Sequence, residues 1–346
     1  MRVALNGYGR IGRSFVRALL EREAGGWRAP FTLVAVNDLG RPEDLYYLSR
    51  FDSTHGPCRV PVALENSADG PQLLLGAHRA RLLSEAEPAA LPWRALDASL
   101  VLECTGVFRA HDEAARHLSA GAERVIIGAV PFDHADAMLV YGINHTQLQP
   151  GQRVLSAASC TTHAIAPLLA TLDEAFGVEQ VLMKEVHAYT SDQSLLDHVH
   201  RDPRRGRAAA QNIVPTTSSA IGAVQQILPR LNGRISGDSL RVPTLNVAMV
   251  DLTLRLTHTP SVPQLNELFA RRVDEVPWLI GYNAEPLVSV DFNHRSESVI
   301  FDATQTRVQG DMVRVVAWYD NEWGYANRLL DLVSWMAGQQ EGAGGV

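Results

Sequence analysis

The feature that most constrains this chain lies in its first thirteen residues. A short aliphatic run, Arg2-Val3-Ala4-Leu5-Asn6, leads into Gly7-Tyr8-Gly9-Arg10-Ile11-Gly12-Arg13, and an amphipathic stretch follows as far as Glu23. In a G-x-G-x-x-G between a strand and a helix, the missing Cβ atoms let backbone approach a pyrophosphate, and the helix N-terminus stabilises the negative charge. The spacing therefore predicts a dinucleotide site held by Gly7, Gly9, Arg10, Ile11 and Gly12. The next strand-like run, Thr32-Asn37, is followed by Asp38, an acid placed where an adenosine ribose would lie. A carboxylate there accepts from the 2′-hydroxyl and repels a 2′-phosphate, which favours NAD over NADP.

The first half continues the strand and helix alternation expected of βαβ units on a parallel sheet. Leu100-Glu103, Arg124-Gly128 and Met138-Tyr141 read as strands, and Asp112-Ala120 reads as a helix. After a helix from Cys160 to about Phe176 the pattern changes to longer strands: Gln180-Tyr189, Asp238-Arg255, Leu287-Phe292, Ser298-Asp302 and Met312-Trp318. The expected fold class is α/β, with a Rossmann-type parallel-sheet NAD-binding domain and an α+β catalytic domain on a mixed or antiparallel sheet. At 346 residues and 46% hydrophobic content the chain is long enough for two cores. The expected boundaries are 1–158 for the first domain, completed by a C-terminal helix within 321–337, and 159–320 for the second. The Gly-rich end, 338–346, is expected to be a disordered tail.

Charge and cysteine content exclude several functions. With 31 basic against 38 acidic residues, net −7 and no block of like charge, nothing draws the chain to nucleic acid or a membrane surface. No apolar run approaches a bilayer span and no signal-peptide layout opens the sequence, so a cytoplasmic protein is expected. Three scattered cysteines, Cys58, Cys104 and Cys160, are too few for a disulfide framework or a metal cluster, and no metal is expected. Lys184 is the only lysine, a compositional bias toward arginine.

One cysteine stands apart. In Ser156-Ala157-Ala158-Ser159-Cys160-Thr161-Thr162-His163, a turn of small residues delivers Cys160 to a helix N-terminus, where dipole and free N–H groups favour the thiolate. A nucleophilic thiol needs a base, and His187 near the end of a strand is the candidate. For Cys58 and Cys104 the reading is that of small buried hydrophobes.

Taken together, Asn6-Gly7-Tyr8-Gly9-Arg10-Ile11-Gly12-Arg13, Ser159-Cys160-Thr161-Thr162, His187-Ala188-Tyr189-Thr190, Arg241-Val242-Pro243-Thr244 and Trp318-Tyr319-Asp320-Asn321-Glu322-Trp323-Gly324-Tyr325 resemble the family of phosphorylating glyceraldehyde-3-phosphate dehydrogenase and erythrose-4-phosphate dehydrogenase. The resemblance runs from about residue 2 to residue 337. It implies that Cys160 attacks an aldehyde to give a thiohemiacetal and that His187 takes the hydroxyl proton as hydride leaves for NAD. The resulting thioester would then be cleaved by inorganic phosphate or by water. It assigns Asn321 to the nicotinamide carboxamide and adds Arg81 and Thr105 to the cofactor residues. Thr190, Asp192 and Arg241 fall on the substrate-phosphate site; Ser159, Thr161, Ser218 and Ser219 fall on the site of the attacking phosphate, with Arg205 near both. The expected partners are thus a small phosphorylated aldehyde and inorganic phosphate, and the family implies a homotetramer working in glycolysis.

Departures from the family pattern gather around the site. His163 stands for an asparagine, Glu185 for a threonine, Ser218-Ser219 for Thr-Gly, Ala157 for an asparagine and Gly128 for a serine. His198-Val199 replaces the Leu-Pro usual in NAD-specific members. Glu185 and His187 are two apart on a strand and share a face, so Glu185 either raises the His187 pKa or pairs with a nearby arginine. Leu91-Pro92-Trp93-Arg94, Asp291-Phe292-Asn293-His294 and Thr304-Gln305-Thr306-Arg307 favour the erythrose-4-phosphate enzyme as an alternative. A catalytically weakened nucleotide-binding paralogue is a further one.

Overall fold

The computed structural model describes residues 1–343, folded as two compact units: Met1–Ala158 with the chain from Ala326 on, and Ser159–Tyr325. Among the described residues no helix is long and apolar enough to cross a membrane.

In the first unit, Arg2–Asn6 pairs in parallel with Thr32–Asn37 on one side and with Leu100–Glu103 on the other. Arg124–Ile127, Val154–Ser156 and Ala137–Met138 extend the parallel sheet beyond Leu100–Glu103. At the opposite edge, beyond the parallel strand His78–Leu83, an antiparallel ribbon of Val62–Ser67 and Gly70–Leu75 completes nine strands among the described residues. The central strands are aliphatic on both faces, as a sheet covered on both sides requires; Val3, Leu5, Leu33, Val101 and Ile126 are all fully buried. Trp93 is also fully buried in this core and donates its indole N–H to His117 Nδ1 at 2.9 Å.

The second unit is built on a mixed sheet. Val178–Ala188 runs parallel to Ile235–Val242 and antiparallel to Ala248–Leu256, which continues antiparallel through Met312–Tyr319 to Val299–Asp302. The helix Cys160–Phe176 packs on this sheet. Its start follows from Ser159, whose extended backbone and side-chain oxygen, accepting from Thr162 N–H at 3.1 Å, make an N-cap. Its end follows from Gly177 at φ +69°, a left-handed conformation that glycine takes without penalty. On Val178–Ala188 the polar face is open, carrying the half-exposed Lys184 in an ion pair with Asp238, while Glu185 and His187 are buried on the other face.

The structure differs from the sequence expectations at several elements. Asp238–Arg255 is two strands, Ile235–Val242 and Ala248–Leu256, because Pro243 cannot donate to a ladder and the chain turns back through Val247 at φ +72°. Leu287–Phe292 forms no strand: Asp291 accepts from Val288 N–H at 2.9 Å and closes a 3₁₀ turn over Ser289–Phe292. The region 112–120 is two short helices, His111–Ala114 and Arg116–Ser119, and Met138–Tyr141 shrinks to the bridge Ala137–Met138. The C-terminal helix spans Trp323–Ala343, so the expected tail is helical as far as Ala343; residues 344–346 lie outside the described residues.

Candidate active site

The glycine turn of the first unit is built to leave room. A Cβ on Gly7, at φ +92°, would sit 2.5 Å from Thr105 N, and one on Gly12 would sit 2.4 Å from Gly7 O, so both positions exclude side chains by packing. At Gly9 a Cβ would meet nothing within 4 Å, leaving open space at the N-terminus of Arg10–Ala24, whose first turn has no side-chain cap. Arg10 is tied by its guanidinium to Asp52, while Ile11 lies within the first turn of the helix. Asp38 Oδ2 accepts from Tyr8 N–H at 2.8 Å and Oδ1 from Gly40 N–H at 2.9 Å, locking the acid against the glycine turn. Arg81 lies on the strand beside Thr32–Asn37, which Asp38 follows, in register with Ala35. Thr105 is exposed, and its backbone N–H donates to Glu103 Oε1 at 2.8 Å.

Behind this turn lies a carboxylate that sequence reasoning passed over. Glu103 is buried; its Oε1 also accepts from Thr105 Oγ1, and its Oε2 accepts from Asn6 Nδ2 at 2.5 Å and lies 3.0 Å from His117 Nε2. The strand signal at Leu100–Glu103 placed Glu103 but gave no sign of its partners.

At the end of the first unit, Ala158, at the unusual φ of +53° for a residue with a Cβ, precedes the Ser159 cap and helps turn the chain so that Cys160 opens the helix. Cys160 Sγ lies 3.6 Å from His187 Nε2, thiol to imidazole, at the end of Val178–Ala188. His187 Nδ1 is 2.7 Å from the Ala188 carbonyl and 2.5 Å from Arg241 Nη1. Burial pulls the His187 pKa down from 6.5 to about 4; the Arg241 charge acts in the same sense and Glu185 only partly opposes it. Glu185 does raise His187, as one of the two sequence readings had it, but burial and Arg241 outweigh that influence. At neutral pH the ring is an unprotonated base.

The thiol also departs from expectation. Burial pushes it up to about 11, Glu185 adds to the rise, and Arg241 and Thr161 oppose it. These influences favour the neutral thiol beside the neutral imidazole.

Of the two routes foreseen for Glu185, it follows the first by charge alone: it raises His187 without a hydrogen bond to it, and it forms no ion pair with an arginine. It is buried, and its Oε1 accepts from Thr161 Oγ1 and from Tyr319 OH at 3.0 Å, while Oε2 is buried without a hydrogen-bond partner. Burial pushes its carboxyl up, but His187 and Arg241, with the Thr161 and Ser239 hydroxyls, together hold it below the usual range. Tyr319, quoted from sequence only as part of a motif, is thus a member of the site. Thr161 is buried with its hydroxyl turned inward.

The remaining predicted residues have partners of their own. Asp192 and Arg205 form an ion pair with each other, and Arg205 Nε donates to Thr216 Oγ1 at 2.8 Å. Thr190 lies two residues beyond the strand. Ser218 and Ser219 precede the helix Ala220–Ile227, with Ser218 Oγ accepting from Ala220 N–H at 3.4 Å. His163 is buried edge-on against Tyr325, with ring centroids 5.5 Å apart. In the first unit, a Cβ on Gly128 would come 3.2 Å from Cys104 Sγ, which accounts for the missing side chain there.

Asn321 sits in a turn organised by Asp320, whose Oδ1 accepts from Glu322 N–H at 2.9 Å and Trp323 N–H at 2.7 Å. Asn321 is buried and its Oδ1 has no hydrogen-bond partner. Within the second unit that orphaned acceptor matches the N–H₂ of a carboxamide; within the first, the open space at Gly9 fits a pyrophosphate.

Comparison with known proteins agrees with this chemistry. The family model described as the glyceraldehyde 3-phosphate dehydrogenase NAD binding domain matches residues 1–111, and that of the C-terminal domain matches residues 159–321. The chain is 45% identical over 332 residues to a plasmid glyceraldehyde-3-phosphate dehydrogenase of Cupriavidus necator, covering 96% of this chain and 97% of that one. It is 44% identical over 331 residues to a glyceraldehyde-3-phosphate dehydrogenase of Pseudomonas aeruginosa, covering 96% of each. Against that of Kitasatospora aureofaciens it is 43% identical over 338 residues, covering 97% and 99%. The two matched domains and these relatives define an NAD-dependent oxidoreductase. The chain belongs to the glyceraldehyde-3-phosphate dehydrogenase family.

Proposed function

We propose that this chain oxidises glyceraldehyde 3-phosphate with NAD and inorganic phosphate to 1,3-bisphosphoglycerate. The observation that carries the reading is the 3.6 Å approach of Cys160 Sγ to the neutral His187 Nε2 at the start of a helix. In the tautomer with its proton on Nδ1, toward the Ala188 carbonyl, His187 offers an Nε2 lone pair to the thiol; Arg241 Nη1, which can only donate, turns from Nδ1 to the substrate phosphate. It takes the thiol proton as sulfur attacks the aldehyde carbon, and that proton passes to the developing alkoxide to complete the thiohemiacetal. NAD, when bound, supplies the hydride acceptor for the next step. As that step proceeds His187 removes the hydroxyl proton, and Cys160 is left carrying a thioester. Arg241, with Thr190 and Asp192, anchors the substrate phosphate; Arg205, Ser159, Ser218 and Ser219 serve the attacking phosphate, a use suited to the planar guanidinium fork. Asp38 selects NAD, with Arg81 and Thr105 lining the cofactor. The exposed Leu195, Leu196 and Val199 after Ser191 support a homotetramer, to be checked by light scattering at micromolar concentration.

Steady-state rates with glyceraldehyde 3-phosphate and erythrose 4-phosphate, each with and without phosphate, test the reading. It predicts a higher kcat/KM for the three-carbon aldehyde and a rate that rises with phosphate. A preference for the four-carbon aldehyde overturns the substrate assignment.

A further inference from the structure

We propose that Glu185 is a specificity-determining residue for the acyl acceptor: its buried carboxylate disfavours dianionic phosphate at the thioester and leaves the acyl group to the phosphate monoanion and to water. This rests on the dehydrogenase reading above and deepens it. Three observations converge. Thr161 adjoins Cys160, with its Oγ1 3.9 Å from Sγ, so an anion attacking the thioester carbon arrives beside it. The single hydroxyl proton of Thr161 is already given to Glu185 Oε1, so Thr161 has none to offer an incoming oxyanion. The second carboxylate oxygen, Oε2, is buried without a well-formed hydrogen bond; the neighbouring Ser239 hydroxyl stabilises the carboxylate, but no cation pairs with it, so its negative charge stays in place. A fixed negative charge one hydrogen bond beyond a hydroxyl that itself touches the nucleophile repels a second negative charge, and repels a dianion more than a monoanion.

The groups facing Glu185 leave this charge in place. From the helix come Cys160, a neutral thiol, and Thr161; from Met312–Tyr319 comes Tyr319, whose phenol is raised well above its usual range by burial and by Glu185. From Ile235–Val242 come Ser239, in register with Glu185, and Arg241; from Ala248–Leu256 comes the apolar Val250; on its own strand stands the neutral His187. Arg241 is the one cation in this set, and the proposed mechanism assigns it to the substrate phosphate.

The competing steps balance as follows. When hydrogen phosphate dianion attacks, its oxygen bonds to the acyl carbon, the carbon–sulfur bond breaks, and the proton it carried ends on Cys160 as thiol. When water attacks, the products are the carboxylate, the thiol and one released proton. Only the first passes a dianion by Glu185.

The test compares wild type, Glu185→Thr and Glu185→Gln at saturating aldehyde and NAD. It measures the single-turnover NADH burst, the rate without phosphate and the KM for inorganic phosphate. Glutamine keeps the shape and removes the charge. Both variants should lower the phosphate KM about tenfold or more, the scale of one pKa unit of charge interaction, and should reduce the fraction of acyl group lost to water. A phosphate KM unchanged in Glu185→Gln with an intact burst overturns the proposal. Should either variant fail to fold, wild type alone still decides: its KM for total phosphate should climb as pH rises through the second ionisation of phosphate, and a flat KM overturns it. A wild type with no aldehyde-dependent burst defeats the dehydrogenase reading itself, and this inference with it.

Discussion

Each unit of the molecule buries one carboxylate directly behind a functional turn, and the two are treated oppositely. Glu103, behind the glycine turn, receives four contacts from Asn6, His117 and both groups of Thr105. Glu185, behind Cys160, receives two on one oxygen and none on the other. A buried charge whose lone pairs are all met is part of the scaffold, and removing it strands several donors. A buried charge that is half met still exerts its field on whatever stands nearby, here a thiol and an imidazole. Satisfaction, more than burial, separates the structural acid from the chemical one.

The strongest way to separate the two units' work is Cys160→Ala. Dehydrogenase turnover should fall by at least about 10⁴-fold, since the covalent route is gone, while NAD binding by calorimetry should be unchanged because the glycine turn is untouched. His187→Asn should cost roughly 10²–10⁴ in rate; a smaller loss in single-turnover kinetics would move the base elsewhere, His163 being the next candidate. The carboxylates themselves are compared by chemical denaturation. Glu103→Ala leaves the donors from Asn6 and Thr105 unmet and should destabilise by roughly 3–5 kcal/mol, whereas Glu185→Thr should cost less than half as much. Equal losses would erase the distinction drawn here.

Smaller effects sharpen it. Asp38→Ser removes a charge that opposes a 2′-phosphate, an effect of about 1.5–3 kcal/mol for charged hydrogen bonds, so the NAD to NADP ratio in kcat/KM should fall by about tenfold or more. His187 has its folded pKa depressed from 6.5 to about 4. Between those values the unfolded chain binds more protons, so stability should fall as pH is lowered through that window and be fully retained above it. His187→Asn should flatten this slope. Glu185→Thr removes an influence that raises His187, so the acidic limb of the kcat profile should move to lower pH.

Strand periodicity and turn chemistry made much of this legible in advance. Arg2–Asn6, Thr32–Asn37, Leu100–Glu103 and the helix Cys160–Phe176 are observed at their expected ends because glycine, serine and aliphatic runs act locally. The break after Val242 is marked locally only by Pro243, and the turn at Val247 depends on contacts far along the chain, such as Asn246 Nδ2 to Asn293 Oδ1 at 2.8 Å. At the site, the alternation of Val178–Ala188 put Glu185 and His187 on one face, but periodicity says nothing of which neighbour a carboxylate takes. That choice was made by Thr161 and Tyr319, from a helix and a strand distant in sequence. The thiol and imidazole pKa values were illegible for the same reason: they are set by burial and by Arg241, which arrives from a third segment.

One composition feature gains meaning from where the structure puts it. Under the proposed reaction the product is an acyl phosphate, a mild acylating agent toward free amines. Lys184 carries the chain's single side-chain amine, on the open face of the strand that bears Glu185 and His187, and it is held in an ion pair with Asp238. A protein that generates an electrophile beside its own surface thus offers it almost no ε-amine to modify. Accumulated product should leave this chain largely unlabelled, where a lysine-rich surface would collect acyl groups with each cycle.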